Sequence, residues 1–396
     1  MRSYIKRIFH IDHLIVAAFT ILIIRLLVVV ALNLDFLSPV VRALESFSMT
    51  DVYYKIQNSG DNHDISNAIT IVDMTELKHR EEIAKVVHDI KAMNPKLLGI
   101  DIIFEGEQPD KNGDEPLAEA CLDGDASKTV LAYKLKNYDE ASKRFKNELH
   151  SFFVYDGNVS EGFVNLIDDP TKSIHKYAVT LPAKDTLAYS FPARVSQIVT
   201  GRAVSEERIH NINYKPVTFP IVKYDELTDY RELITGRIVL LGTTEEEKDK
   251  YYTPIGQKSG VEILAYSILS MTEDNPVEHA GRWMVILWAL IAGYITNLID
   301  YFLTKRFERG RSTFMVFITQ SEFYDKIISF VVMALVTWVA FELYVRLNYF
   351  VDTVLALTTI VLIEEGRLLY AGLLTVLKRK TKWKLIEKSI YAAELD

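Results

Sequence analysis

Nineteen residues from Leu14 to Leu32 run apolar, with only Thr20 and Arg25 interrupting. A run of about 20 such residues is what a helix needs to cross the hydrocarbon of a bilayer, so the chain must be read against a membrane first. Arg2, Lys6 and Arg7 precede the run as they would in a signal peptide. No small-x-small cleavage site follows it, which favours an uncleaved signal anchor. Three more apolar runs crowd the C-terminal third: Trp283 to Leu303, Ile327 to Val345, and Tyr349 to about Ile363, continuing toward Leu377. The last is the weakest, because Glu364-Glu365 breaks it; a buried or interfacial hairpin is its other reading. Hydrophobic residues make up 49% and charged residues 25% of the chain, with mean hydropathy +0.08, a balance tilted away from that of a soluble protein.

Basic residues flanking a span stay on the cytoplasmic side. They cluster at Arg2, Lys6 and Arg7, at Lys305, Arg306, Arg309 and Arg311, and at Lys378, Arg379, Lys380, Lys382, Lys384 and Lys388. All three clusters share one side only if there are four spans. The expected organisation is therefore a cytoplasmic N-terminus with a first transmembrane helix (1–33), an extracytoplasmic domain (34–281), three transmembrane helices (282–377) and a short basic cytoplasmic tail (378–396). Residues 33–281 hold 27 Lys+Arg against 41 Asp+Glu, a formal charge of −14 within the chain's −8. That sign argues against nucleic acid as a partner. Cys121 is the single cysteine, so neither an internal disulfide nor a CxxC zinc site can form. An outer domain without disulfides suits a bacterial periplasm, and the expected location is the bacterial inner membrane, multi-pass.

Within the outer segment, AITIVD (68–73) has the pattern of a short buried strand. Glu81 to Met93 places Ile83, Val86, Val87, Ile90 and Met93 at helical spacing and closes on Asn94-Pro95. LLGIDIIF (97–104) is the next strand, and strand, helix and strand together make a βαβ unit with a parallel pair. Asp114 to Cys121 reads as a helix and Val130 to Leu135 as a third strand. Gly162 to Ile167 and Tyr177 to Leu181 read as a hairpin around Asp168-Asp169-Pro170, followed by a helix from about Leu187 to Thr200. GRIVLLG (236–242) is a buried strand, and Gly260 to Met271 a helix. The fold class is α/β, a mixed or parallel sheet flanked by one N-terminal and three C-terminal transmembrane helices.

No HExxH, GxSxG or GxxxxGK[ST] occurs, so neither a catalytic centre nor a nucleotide or metal cofactor is expected, and the chain is read as a non-enzyme. The suggestive group is acidic. Asp73 ends one strand, Asp101 and Glu105 lie on or just past the next, and Asp249 lies in the loop that Gly242-Thr243 opens. In open α/β sheets ligands bind beyond the carboxyl ends of the strands, so Asp73, Asp101, Glu105, Thr243 and Asp249 form a candidate ligand site. Oxygens converging there suit a hard cation or an amine. The bland alternative has Asp73 capping the next helix, Asp101 paired with a base and Glu245 to Glu247 as a solvated face. A second candidate lies in the membrane. Arg25 sits about 16 Å into its span, where a charge costs roughly 3 kcal/mol; Glu342 and Asp352 are the acids closest in depth, with snorkelling to the surface as the alternative.

The succession AITIVDMTEL (68–77), LLGIDIIFE (97–105), GFVNLIDDP (162–170), GRIVLLGTTEEEKDKYYTPIG (236–256) and GVEILAYSILS (260–270) resembles the CHASE domain of type 2. That family is a bacterial extracytoplasmic sensory module between a first transmembrane helix and a group of three. The resemblance covers residues 34–280, and its most specific piece is the glycine-bounded strand ending at Gly242, followed by Asp249, Thr253-Pro254 and Gly260. The family's Trp-Pro element is absent at Leu77 to Arg80, and Leu264 stands where a histidine is usual. The resemblance implies a sensor of ligand or envelope state. With only a short tail after Leu377, that sensor is expected to relay to a separate membrane or cytoplasmic signalling protein or to another copy of itself in a homo-oligomer. A scaffolding subunit of an inner-membrane complex is the alternative. The topology has a direct check: in a background lacking Cys121, cysteines at Gly310 and Ala393 should label only from the cytoplasmic side and one at Ser59 only from outside.

Overall fold

The computed structural model describes residues 10–32, 54–58, 64–108, 113–125, 128–156, 159–167, 173–203, 206, 208–274, 277–308, 322–380 and 389–391. It divides into two units, Thr50–Val277 and the combination of Met1–Met49 with Glu278–Asp396. The chain opens with Asp12–Leu32 (α1), which belongs to the second unit.

The unit Thr50–Val277 begins its large sheet with Ile69–Asp73 (β1), buried at all five positions. A strand covered on both faces needs a continuous rather than alternating apolar sequence, and ITIVD supplies one. Arg80–Ala92 (α2) then buries Ile83, Val86, Val87 and Ile90. It ends where Asn94 turns left-handed at φ 55° ahead of Pro95, and the chain returns as Leu97–Ile100 (β2). Asp114–Leu122 (α3), Thr129–Asp139 (β3), Arg144–Leu149 (β4), Ser160–Phe163 (β5), Lys176–Ala183 (β6), Thr186–Tyr189 (β7), Phe191–Thr200 (α4) and Arg208–Asn211 (β8) follow. Ile221–Lys223 (β9), Arg231–Ile234 (α5), Ile238–Gly242 (β10), Lys250–Thr253 (β11), Gly256–Ser259 (β12) and Gly260–Thr272 (α6) complete the unit's main elements.

The strand order is β9-β1-β10-β2-β3-β4-β6-β7, with β5 also on β3 and β8 also on β6. From β9 to the first half of β3 every pair is parallel. The second half of β3 turns away to pair antiparallel with β4. Side chains alternate between faces along a strand, and that alternation places the helices. Leu98, Ile100 and Leu241 lie in one core with Val87 of α2, Leu117 of α3 and Ile234 of α5. Gly99, between the first two, faces Phe191 of α4, and Gly242 faces Val261 of α6. Helices therefore cover both faces, a doubly wound three-layer domain. Cys121 fills the first core, where burial pushes its thiol up to about 12, so it packs as an inert apolar group.

The expected hairpin between Gly162 to Ile167 and Tyr177 to Leu181 does not form. Ser160–Phe163 pairs in parallel with β3, while β6 pairs with β7 and β8; Asp168, Asp169 and Pro170 lie outside the described residues. Gly162 has a different task. A Cβ there would fall 2.3 Å from Phe191 Cα, so the glycine lets α4 start directly against the sheet. The segment expected as helix from Leu187 is strand until Tyr189, because Ser190 caps the helix by accepting the Ala193 N–H.

One buried ion pair anchors the long loop after β2. Arg80 donates to Asp114 Oδ1 and to the Glu105 carbonyl, and its guanidinium lies 4.9 Å from the Phe152 ring centroid. Asp114 Oδ2 also accepts the Gln108 N–H. Removing one partner strands a charge in the core at a cost of about 3–5 kcal/mol. Asp114→Ala is therefore expected to lower the melting temperature of the full chain far more than a surface substitution such as Glu245→Ala, measured by thermal denaturation in detergent.

The second unit continues from α1 with Arg282–Glu308 (α7), Glu322–Leu347 (α8), Val354–Val361 (α9) and Ile363–Lys380 (α10). Among the described residues three helices are long and apolar enough to cross a membrane, over Asp12–Val29, Arg282–Thr304 and Lys326–Leu347. Leu26, Phe330, Leu335 and Trp338 on these helices are exposed, as residues facing lipid would be. The expected fourth span instead breaks at Leu362 into α9, only about 12 Å long at 1.5 Å per residue, and α10, which carries Glu364, Glu365 and Arg367. Gly366 lets α10 touch α1, since a Cβ there would overlap Thr20. Asp300 of α7 accepts from Arg367 of α10.

The tail also differs from a simple solvated end. Asp12 accepts the Ser389 hydroxyl at 2.8 Å and the Ile390 N–H at 2.7 Å, and the Tyr391 hydroxyl lies 2.9 Å from His13 Nδ1. All of Asp12, His13, Ser389 and Tyr391 are buried. Arg2, Lys6, Arg7, Arg309, Arg311, Lys382, Lys384 and Lys388, on which the expected orientation rests, lie outside the described residues.

Candidate functional site

β1, β10 and β2 run parallel and end side by side. Gly242 is in register with Asp73, and the Asp101 N–H donates to the Leu241 carbonyl at 2.9 Å. After β1 and β2 the chain leaves toward the face of α2 and α3, and after β10 toward the face of α6. Adjacent parallel strands with connections to opposite faces open a crevice at their carboxyl ends, the usual ligand position in doubly wound sheets. The sequence-predicted acids stand around this crevice.

Asp101 and Asp249 form its acidic centre. The hairpin of β11 and β12 carries Asp249 at its entrance and delivers Ser259 to the N-cap of α6. There the Ser259 hydroxyl accepts the Glu262 N–H while the Glu262 carboxylate accepts the Ser259 N–H. Asp249 Oδ2 accepts the Gly260 N–H at 3.3 Å, at the first residue of the helix. A Cβ on Gly260 would sit 2.8 Å from that oxygen, so the glycine is what lets the carboxylate reach the helix end. The Tyr251 hydroxyl donates to the same carboxylate. Burial pushes the Asp101 carboxyl well above the ordinary carboxylate range, and the neighbouring Asp249 charge pushes it further. Burial also raises Asp249, against the Gly260 N–H and Tyr251 hydroxyl that favour its ionised form. The Lys134 charge acts on Asp249 in the opposite sense, and a partly desolvated pair of carboxyls suits a ligand that brings positive charge or hydrogen-bond donors.

The other predicted residues do different things. Asp73 Oδ1 accepts from the Thr75 hydroxyl at 2.6 Å, the Thr75 N–H and the Thr244 N–H at 2.9 Å. It clasps the loop after β1 to the loop after β10 and holds the crevice's floor. Glu105 is exposed, and its carbonyl serves Arg80. Thr243 is half-buried beside Gly242, and Glu245, Glu246 and Glu247 are exposed. Among the described residues no three His, Cys, Asp or Glu side chains are grouped to hold a metal. Sequence reasoning missed Tyr251 and the Gly260 N–H. The signal for both was the KYYTPIG turn running into a Ser-x-x-Glu capping box at Ser259 to Glu262.

In the membrane unit Arg25 is exposed and lines a cavity of about 430 Å³ with His279, Arg282, Phe350 and Asp352. Asp352 Oδ1 accepts the Val354 N–H at 2.9 Å. Glu342 is instead engaged by Arg346 Nε at 2.6 Å, one turn along its own helix. The expected trio is thus divided: Arg25 and Asp352 share a cavity, and Glu342 is committed elsewhere.

A doubly wound α/β domain joined to helices that are long and apolar enough to cross a bilayer defines the class, an α/β domain attached to membrane helices. Within that class the chain belongs to the CHASE2 domain family, whose model matches residues 18–298. No curated protein and no solved structure matches the chain.

The raised carboxyls fix a sign for pH dependence. A carboxyl that holds its proton more tightly folded than unfolded stabilises the fold at acid pH, and the contribution is lost as pH climbs through the raised value. Asp101→Asn, which is neutral throughout, is expected to remove that fall and to raise the melting temperature at neutral pH. Thermal denaturation of the full chain from about pH 4 to about pH 8 reads it; a variant less stable than wild type at neutral pH would mark Asp101 as a structural partner.

Proposed function

We propose that this protein is a sensor of the bacterial inner membrane whose α/β domain lies outside the cytoplasm and relays the state of the Asp101–Asp249 crevice through its helices. The observation that carries the reading is the pairing of two desolvated carboxyls at the switch point of a CHASE2 domain. Such a pair changes charge when a proton, amine or cation arrives, and a change of charge in a low-dielectric crevice is a large local perturbation. Gly260 couples the crevice to α6, because its N–H is held by Asp249. Both termini lie in the cytoplasm on this reading, and the receiver is a separate signalling protein or a second copy of the chain. The sensor carries no catalytic step of its own.

A relay must alter the membrane helices. Spin labels at Leu287 of α7 and Leu335 of α8, both exposed, report their separation in the full chain reconstituted in lipid. Lowering the outer pH is expected to shift the distance distribution, and Asp101→Asn is expected to hold it in the low-pH form at every pH. An unchanged distribution across the titration would overturn the relay.

A further inference from the structure

The cavity that Arg25 lines in the membrane unit gathers charges that the chain itself leaves unmatched. The approach to α7 is fixed by a short parallel pairing, Glu278 on Tyr349 and His279 on Phe350, and the Ala280 N–H donates to the Phe350 carbonyl at 2.8 Å. That frame brings Arg282, the first residue of α7, and Asp352, just ahead of α9, to one cavity with Arg25 of α1. Its volume is about 430 Å³. At about 30 Å³ per water, that is room for roughly fourteen waters.

Sharing a cavity with Arg282 resets the depth of Arg25. Residue counting places Arg25 deep in its span, but α7 and its apolar window both begin at Arg282. Trp283 beside it is 84% exposed, as an aromatic at the boundary between hydrocarbon and headgroups would be. Arg25 therefore stands at the level where lipid phosphates lie.

The polar groups of the lining divide by sign. Arg25 and Arg282 are exposed, and among the described residues neither guanidinium has a hydrogen bond or an ion pair. Asp352 is the carboxylate of the lining. Its Oδ1 accepts the Val354 N–H at 2.9 Å, and among the described residues no ion pair joins it to either arginine, so Oδ2 is left over. The His279 ring lies against Phe350, centroids 4.9 Å apart, and Val285, Ile286 and Leu355 make the rest of the wall apolar. Two cations and one anion held apart around such a cavity match a zwitterion. A phosphate takes guanidinium groups bidentately, and an ammonium takes the carboxylate. A phosphate without an ammonium would bring its charge beside Asp352 and leave the apolar wall uncovered.

We propose that this cavity seats the headgroup of phosphatidylethanolamine, with the phosphate between Arg25 and Arg282 and the ammonium on Asp352. Leu22, exposed one turn before Arg25 toward the middle of the span, continues the apolar surface along which the acyl chains run. The site belongs to the membrane unit and stands whether or not the Asp101–Asp249 crevice relays a signal.

Native mass spectrometry of the full chain, equilibrated in detergent with one compound at a time, tests it. The probes are dioleoyl phosphatidylethanolamine, dioleoyl phosphatidylglycerol and, as the headgroup without chains, glycerophosphoethanolamine. One saturable phosphatidylethanolamine per chain is expected, with phosphatidylglycerol held about tenfold more weakly and the bare headgroup not retained. Arg25→Gln and Arg282→Gln are each expected to weaken both lipids about tenfold, the equivalent of one charge-assisted hydrogen bond. Arg346→Gln, on α8 and outside the lining, should leave binding unchanged. Asp352→Asn, whose amide oxygen can still accept the Val354 N–H, should hold the two lipids equally, so selectivity within one folded variant carries the result even where an arginine variant expresses poorly. Equal retention of the two lipids by wild type, wild-type affinity in either cavity-arginine variant, an equal loss in Arg346→Gln, an unaltered preference in Asp352→Asn, or a bare headgroup bound as tightly as the lipid would each overturn the assignment.

Discussion

β10 is hydrogen-bonded to β1 on one side and β2 on the other, yet it is reached only after every other strand of the large sheet has been made. Until it arrives, the facing edges of β1 and β2 have no ladder partners, and buried backbone groups without partners are not tolerated. The sheet is therefore completed late, by a contact between residues far apart in sequence, which is the slow kind. The same insertion creates the crevice. With β10 in place, Asp101, Asp73 and the loop to Asp249 are brought to one edge, so the site cannot exist in a partly assembled domain. A sheet whose central strand is the last of its strands to be made ties the crevice to the domain's state of folding.

The crevice gathers two carboxyls with a tyrosine hydroxyl and a helix N–H as their donors. Desolvation turns groups unremarkable in water into groups with an unmet requirement.

Much of this was legible in the sequence where a local pattern had only one outcome. ITIVD and IVLLG could only be strands covered on both faces, Ile83 to Ile90 could only be one face of a helix, and the strand-end rule pointed to Asp101 and Asp249, which the fold brings near each other. Where a local signal competed with a distant partner, it misled. Asp168-Asp169-Pro170 has the chemistry of a turn, but β5 is fixed by β3 and by the approach of Phe191, neither of which is near it in sequence. The role of Asp73 was undecidable for the same reason, since a ligand carboxylate and a loop clasp differ only in where Thr244 comes to lie. Glu342 was assigned to Arg25 on depth alone, and the reading passed over Arg346 one helical turn away, the spacing at which ion pairs form on a helix.

The contact of the C-terminal segment with the start of α1 has a consequence for how the chain is made. The Ser389 hydroxyl and Ile390 N–H that Asp12 accepts are synthesised 377 and 378 positions after it. At roughly 5–20 residues per second, the interval between them is on the order of 20–75 s. Throughout that time the chain offers the Asp12 carboxylate only the neighbouring His10, 3.2 Å from its Oδ2. α1 therefore acquires its full set of contacts only when the segment around Ser389 has been delivered to it.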